Sequence, residues 1–210
     1  SNHHARPYGV GLAYRWVIHP QIMQYQHEID LLELPTEDYI VRQRRIAGDF
    51  DLRLVKEAAR TFPCVAHGIS LSIGSVEEVS QSYLRKTREF MDELGLEVFS
   101  EHLAYHRKDG NDLTIFMSMP FIEESINWLA ENCAQVRQKM KTNFALENVS
   151  YRFPVPHGTM DEADYLSRMV EATGCTLLLD VTNVYNNAMN HGYDPYEFID
   201  RLPLHAVTQI

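Results

Sequence analysis

No Cys-x-x-Cys pair occurs, and the three cysteines, Cys64, Cys133 and Cys175, are odd in number and far apart along the chain. A disulfide framework or a cysteine-based zinc site is therefore not expected, and a reducing cytoplasm is the default compartment. No apolar run approaches the roughly 18 residues that a membrane-spanning helix needs. The start, Ser1 to Pro7, lacks the apolar stretch of a secretory signal. Residues 1–7 read as a cloning remnant or a disordered start, so His3 and His4 carry no assigned role. Cations are in the minority: 19 Lys and Arg stand against 29 Asp and Glu, a formal net charge of −10. Phosphate contacts need clustered Lys and Arg, so nucleic acid is not an expected partner. The first apolar run, Gly9-Val10-Gly11-Leu12-Ala13-Tyr14, lacks the third glycine of G-x-G-x-x-G, so the dinucleotide-binding fingerprint is incomplete. No G-x-S-x-G elbow marks a serine hydrolase.

What is present is an ordinary globular composition: 210 residues, 45% hydrophobic and 23% charged. Residues 8–210 suit one domain. Short apolar runs recur at Gly9–Leu12, Leu31–Leu34, Cys64–Ala66, Leu96–Phe99, Phe144–Leu146, Thr176–Leu179 and Ala206–Ile210. Bounded by turn residues, such runs read as buried parallel strands. Amphipathic stretches separate them. Capping boxes begin at Ser75, Thr159 and Asp194, the last with Pro195 at the first helical position. Gly95 and Gly174 read as helix stops. Ile122, Ile126, Leu129, Cys133, Val136 and Met140 form a further helical stripe. Seven strand–helix units predict an α/β fold of the (β/α)₈ TIM-barrel kind, which typically takes about 250 residues, so the last strand–helix unit is expected to be absent from this chain. An open Rossmann sheet is the rival.

In such barrels chemistry sits at the C-terminal ends of the strands. Here one run ends in His67, another in Glu101-His102, another in Glu147-Asn148, and another in Asp180 with Asn183 and His191 beyond; Leu31–Leu34 leads to Glu37-Asp38. Four strand ends that share imidazoles and carboxylates predict one metal-binding rim, in which the cation offsets mutual carboxylate repulsion. Neutral imidazole and carboxylate oxygen suit Fe, Mn or Zn. His19, His27, His106, His157 and His205 read as solvated, Met117, Met119 and Met140 as packing, and Arg42, Arg44 and Arg45 as a solvated helix face able to meet an acidic peptide.

At these residues the chain resembles a known family. His67-Gly68-Ile69-Ser70-Leu71-Ser72-Ile73-Gly74-Ser75, Ser100-Glu101-His102-Leu103, Leu146-Glu147-Asn148, Leu178-Leu179-Asp180-Val181-Thr182-Asn183-Val184-Tyr185 and Asn190-His191-Gly192-Tyr193-Asp194-Pro195 are similar, in order, to its motifs. The family is the multinuclear non-haem iron-dependent oxidases, the type of the methanobactin-biosynthesis iron oxidase. The resemblance implies a xylose-isomerase-like barrel holding two or three iron ions. It implies O₂-dependent oxidation of a ribosomally made precursor peptide, often at cysteine, with a peptide-recruiting partner protein and no membrane. The metal ligands it implies are His67, His102, Glu147, Asp180, Asn183 and His191, with Glu101 and Asn148 supporting them from behind; Glu101 would orient a neighbouring imidazole. In that family the seventh strand runs on into a His-bearing segment that completes the cluster, and Ile210 stands just before it. Two other readings share the barrel: a Zn-, Mn- or Mg-dependent sugar isomerase or phosphodiesterase, and a non-catalytic peptide-binding module.

Overall fold

The computed structural model describes residues 9–40, 52–154 and 156–210. The expectations for residues 1–7 and for Arg42, Arg44 and Arg45 lie outside them. Seven strands form one parallel sheet: β1 (Gly11–Ala13), β2 (Leu31–Pro35), β3 (Cys64–Gly68), β4 (Val98–His102), β7 (Asn143–Glu147), β8 (Thr176–Leu178) and β9 (Val207–Gln209). All seven overlap the apolar runs, β1 and β4 starting two residues later than expected. Their order in the sheet is their order in the chain. A Rossmann sheet reverses its strand order at a switch point, and no reversal occurs here. The sheet is an incomplete (β/α)₈ barrel, wound in one direction.

Helices fill the crossovers: α1 (His19–Gln24), α2 (Thr36–Ile40), α3 (Leu52–Thr61), α4 (Gln81–Leu94), α5 (Glu123–Met140), α6 (Glu162–Thr173), α7 (Val181–His191) and α8 (Pro195–Asp200). Side chains alternate across each strand. Leu32, Leu34, Ala66, Phe99, Phe144, Leu146 and Leu177 thus share the outer face, where all belong to one core with Leu84, Met91, Leu129 and Met169 of the helices. The stripe of α5 is buried as expected at Ile126, Leu129, Cys133, Val136 and Met140. Cys133 also meets Cys175 there as a thiol pair, though the two are distant in sequence.

Two of the three expected caps move. Ser75 does not start a helix: its Oγ donates to Arg107 O at 3.0 Å, while Asn132 Nδ2 bonds the carbonyls of Ile73 and Ser75 at 2.9 Å. That backbone is committed to α5 and cannot enter a helix. α4 begins later, with Ser80 Oγ accepting from Tyr83 N at 3.3 Å. Thr159 and Met160 direct their N–H groups to Phe121 O at 2.9 and 3.3 Å, which holds that segment in a bend outside the helix. Asp161 caps α6 instead, accepting from Asp164 N at 3.0 Å. The third is as expected: Asp194 accepts from Tyr196 N and Glu197 N. Gly95 and Gly174 close α4 and α6 in the left-handed conformation, at φ 69° and 64°.

One element was not foreseen. Between β4 and α5 an antiparallel hairpin, β5 (Ala104–Lys108) and β6 (Asn111–Ser118), stands apart from the barrel sheet. Its strand β6 is mostly exposed and interrupts the apolar/polar period that would announce it. Three readings of single residues are also corrected. His106, expected in solvent, is buried on β5; His19, also expected in solvent, is buried at the start of α1, where Nδ1 bonds Tyr14 Oη at 3.1 Å. Met117, expected to pack, is exposed, whereas Met119 and Met140 are buried. Among the described residues, no helix is long and apolar enough to cross a membrane.

The cap shift is directly testable. Ser80→Ala removes the acceptor at the start of α4, and a loss of about 1 kcal/mol in denaturant unfolding is expected. An unchanged midpoint would place the helix start elsewhere.

Candidate metal centre

The register of three neighbouring strands builds the site. His67 pairs with Ser100, and His102 with Glu147. Ser100 and His102 are two residues apart, so they share a face, and parallel neighbours in register share it too. His67, Ser100, His102 and Glu147 therefore all point into the barrel at its C-terminal rim. His67 Nε2 lies 3.4 Å and His102 Nε2 3.6 Å from Glu147 Oε2. One donor atom from each of the three residues falls within 4.8 Å of the others.

The other ring nitrogens are held. His102 Nδ1 lies 3.2 Å from Gly68 O, which can only accept, so Nδ1 carries the hydrogen and Nε2 presents its lone pair. His67 Nδ1 lies 2.9 Å from Ser100 Oγ. Ser100 Oγ donates onward to Ala66 O at 3.4 Å, so it accepts from His67, whose Nε2 is likewise free. Phe116 of β6 stacks on His102 with centroids 4.4 Å apart and planes at 10°.

Charge is scarce in the site. Burial, then the neighbouring His102, holds His67 down to about 4. His102 is lowered as well, again first by burial. Burial, then Asp180 and Glu33, pushes Glu147 up to about 8. At neutral pH the triad thus pairs neutral imidazoles with a protonated carboxyl, not ions. A divalent cation fits this donor set: ligands about 2.0–2.2 Å from a metal lie about 3–3.5 Å from one another, close to the spacing seen.

Asp180 and Asn183 stand beside the triad. Asp180 caps α7, with Oδ1 accepting from Asn183 N at 2.8 Å. Asn148 grips the Asp180 backbone at two points, donating to its O at 3.0 Å and accepting from its N at 2.8 Å. Asn183 Nδ2 donates to Asn148 O at 2.9 Å and reaches Glu147 Oε1 at 3.4 Å. As a ligand, Asn183 would have to turn its amide over. Glu147 thus shows Oε2 to the imidazoles and Oε1 to Asn183.

Two expected residues lie elsewhere. Glu101 alternates with His102 and faces the helix layer, where Oε1 accepts from Leu71 N at 2.9 Å and Tyr83 Oη at 2.7 Å. Among the described residues its side chain bonds no imidazole; it anchors the loop after His67, together with Glu37, which accepts from Ile69 N and Ser70 N at 2.8 Å. Gly68 makes room for it, because a side chain there would meet Glu101 Oε1 and Tyr83 Oη. His191 ends α7 and bonds Tyr151 O at 3.0 Å. An eleven-residue helix is about 16 Å long, which separates it from Asp180. Sequence reasoning missed Ser100, although its two-residue offset from His102 was a readable sign, and missed Phe116, which carried none.

Across residues 9–210 the chain matches the family model described as RiPP precursor modification enzyme MbnB/TglH/ChrH, that is, enzymes acting on ribosomally synthesised, post-translationally modified peptides. The chain belongs to this family. It is 32% identical over 205 residues to a UPF0276 protein of Haemophilus influenzae, covering 96% of this chain and 65% of that protein. It is 34% identical over 195 residues to one of Nitrosospira multiformis, covering 92% and 67%. The chain thus spans about two thirds of the length of these relatives. Similar solved folds include 3-keto-D-glucoside 4-epimerase from E. coli, with TM-score 0.55, 12% identity, and coverage of 95% of this chain and 89% of that one. D-psicose 3-epimerase gives 0.51, 14%, 80% and 59%. These likenesses establish the xylose-isomerase-like barrel.

Metal binding at pH 7 is expected to release close to one proton per site, because a carboxyl near 8 must ionise to coordinate. Calorimetry in buffers of different ionisation enthalpy measures it. Glu147→Gln removes the released proton and weakens binding, and Ser100→Ala weakens it about 10–100-fold. Proton release that survives Glu147→Gln would refute the assignment.

Proposed function

We propose that this protein is an iron-dependent oxidase that uses O₂ to modify a precursor peptide, at cysteine. One observation carries the reading: two imidazoles and one carboxylate converge at the strand rim of a member of a peptide-modifying family. Two histidines and a carboxylate with open positions is the donor set of non-haem ferrous oxygenases. Bound there, iron would supply O₂ activation and electron removal without an organic cofactor.

The chain's own residues do the rest. Gly68 O and Ser100 Oγ set both imidazoles with Nε2 toward the rim. Glu147 would give up its proton to hold an ion, and it faces the imidazoles with one oxygen and the Asp180–Asn183 pair with the other. Asn148 fixes Asp180 through its backbone. Phe116 covers one face of His102 and shields it from water. His191 has no part in this centre. A precursor peptide is the substrate, a peptide-recruiting protein a further partner, and the cytoplasm the compartment.

The test is iron-dependent O₂ uptake by the full-length protein with a cysteine-containing peptide. Uptake is expected to fall at least a hundredfold in His67→Ala. Uptake that persists in metallated His67→Ala would overturn the role. Tightly bound zinc or manganese with turnover of a sugar or phosphodiester would favour the isomerase or hydrolase reading instead.

A further inference from the structure

A second built concavity lies away from the three metal donors. It is a cavity of about 440 Å³ between the segment after β7, the start of α6, the end of α7 and α8. Five aromatic side chains line it, among acidic groups. His191 stacks on Tyr151 at 4.5 Å, Tyr193 on Phe198 at 5.2 Å, and Phe121 meets Tyr151 edge-on at 5.8 Å. Glu162 lines it too, only 8% exposed. Both of its hydrogen bonds arrive on Oε2, from Tyr151 Oη at 3.1 Å and Asn187 Nδ2 at 3.4 Å. Oε1 takes none from the described residues. Glu197 adds an exposed carboxylate at the rim. The neighbouring cation, Arg201, is already spent on Asp161 and Asp164 at 2.7 and 2.9 Å.

A position at the start of α6 explains why an acid is tolerated there. It does not explain why the carboxyl is buried under rings with one oxygen unused. Aromatic faces and a desolvated carboxylate together recognise an organic cation. We propose that this cavity binds the charged head of a basic side chain, the ammonium of a lysine or the guanidinium of an arginine, presented by a peptide. The peptide origin rests on the function proposed above; the cation binding does not.

The geometry links the two sites. α7 is capped by Asp180 beside the metal donors and ends at His191 in the cavity wall. Val181, Tyr185 and Met189, four residues apart on that helix, are 48%, 58% and 68% exposed. An extended peptide covers about 16 Å in about five residues. A basic residue held in the cavity therefore places a residue about five positions away at the metal rim.

The test needs neither metal nor O₂. The full-length protein is titrated, by calorimetry or NMR, with acetyl-lysine amide, acetyl-arginine amide, butylamine and the uncharged acetyl-norleucine amide. Both amino-acid cations are expected to bind at least tenfold more tightly than norleucine, and more tightly than butylamine. Glu162→Gln should weaken them at least tenfold. Tyr193→Leu, which leaves the Glu162 network intact, should weaken them about two- to fivefold. Norleucine binding as well as lysine, or cation affinity unchanged in folded Glu162→Gln, would overturn the proposal. Butylamine binding as tightly as acetyl-lysine amide would overturn its peptide part.

Discussion

The parallel pairing of β3, β4 and β7 is the constraint on which the site depends. Backbone hydrogen bonds fix which residue lies beside which, and the pleat then decides which face each side chain takes. With His67 beside Ser100 and His102 beside Glu147, four polar side chains converge inside the barrel. A slip of one residue in β4 would exchange His102 for Glu101 and dismantle the centre. The outer face guards against that slip. Phe99 stacks on Phe144 at 5.4 Å in the core, and Glu101 is locked to Tyr83 and Leu71. Apolar packing on one face holds polar convergence on the other.

Burial without a countercharge gives the centre its character. Glu147 cannot ionise cheaply beside Asp180 and Glu33, and the imidazoles cannot protonate cheaply beside each other. The site is tuned to exchange a proton for a cation. The pH behaviour of the fold follows the same logic. Glu101 and Glu147 are both pushed up to about 8, well above their unfolded values. Their contribution to folded stability is full at low pH and is lost as pH rises toward 8. His67, lowered to about 4, and His102 act in the opposite direction, at pH values below their unfolded range. Between about 6.5 and 8 the carboxyl effect stands alone.

Much of the architecture was legible because it rests on local signals. Each of the seven strands is a short apolar run between turn residues. Asp194-Pro195 and Gly174 mark helix ends through their own backbone chemistry. Ser75 and Thr159 misled for the opposite reason: their motifs are local, but Asn132 and Phe121, distant in sequence, claim the neighbouring backbone first. The hairpin escaped notice because β6 is exposed on most of its length and so carries no burial pattern.

The sequence by itself determined the barrel class, the family and the set of polar strand ends, since periodicity, glycine stops and ordered motifs are written along the chain. Only the tertiary structure decided which of those polar groups meet. Glu101 and His102 are neighbours in sequence but lie on opposite faces of a pleated strand, and one helix separates Asp180 from His191. Phe116 reaches His102 only because the hairpin folds back over the rim. Such meetings are set by pairing between residues tens of positions apart, which no local pattern encodes.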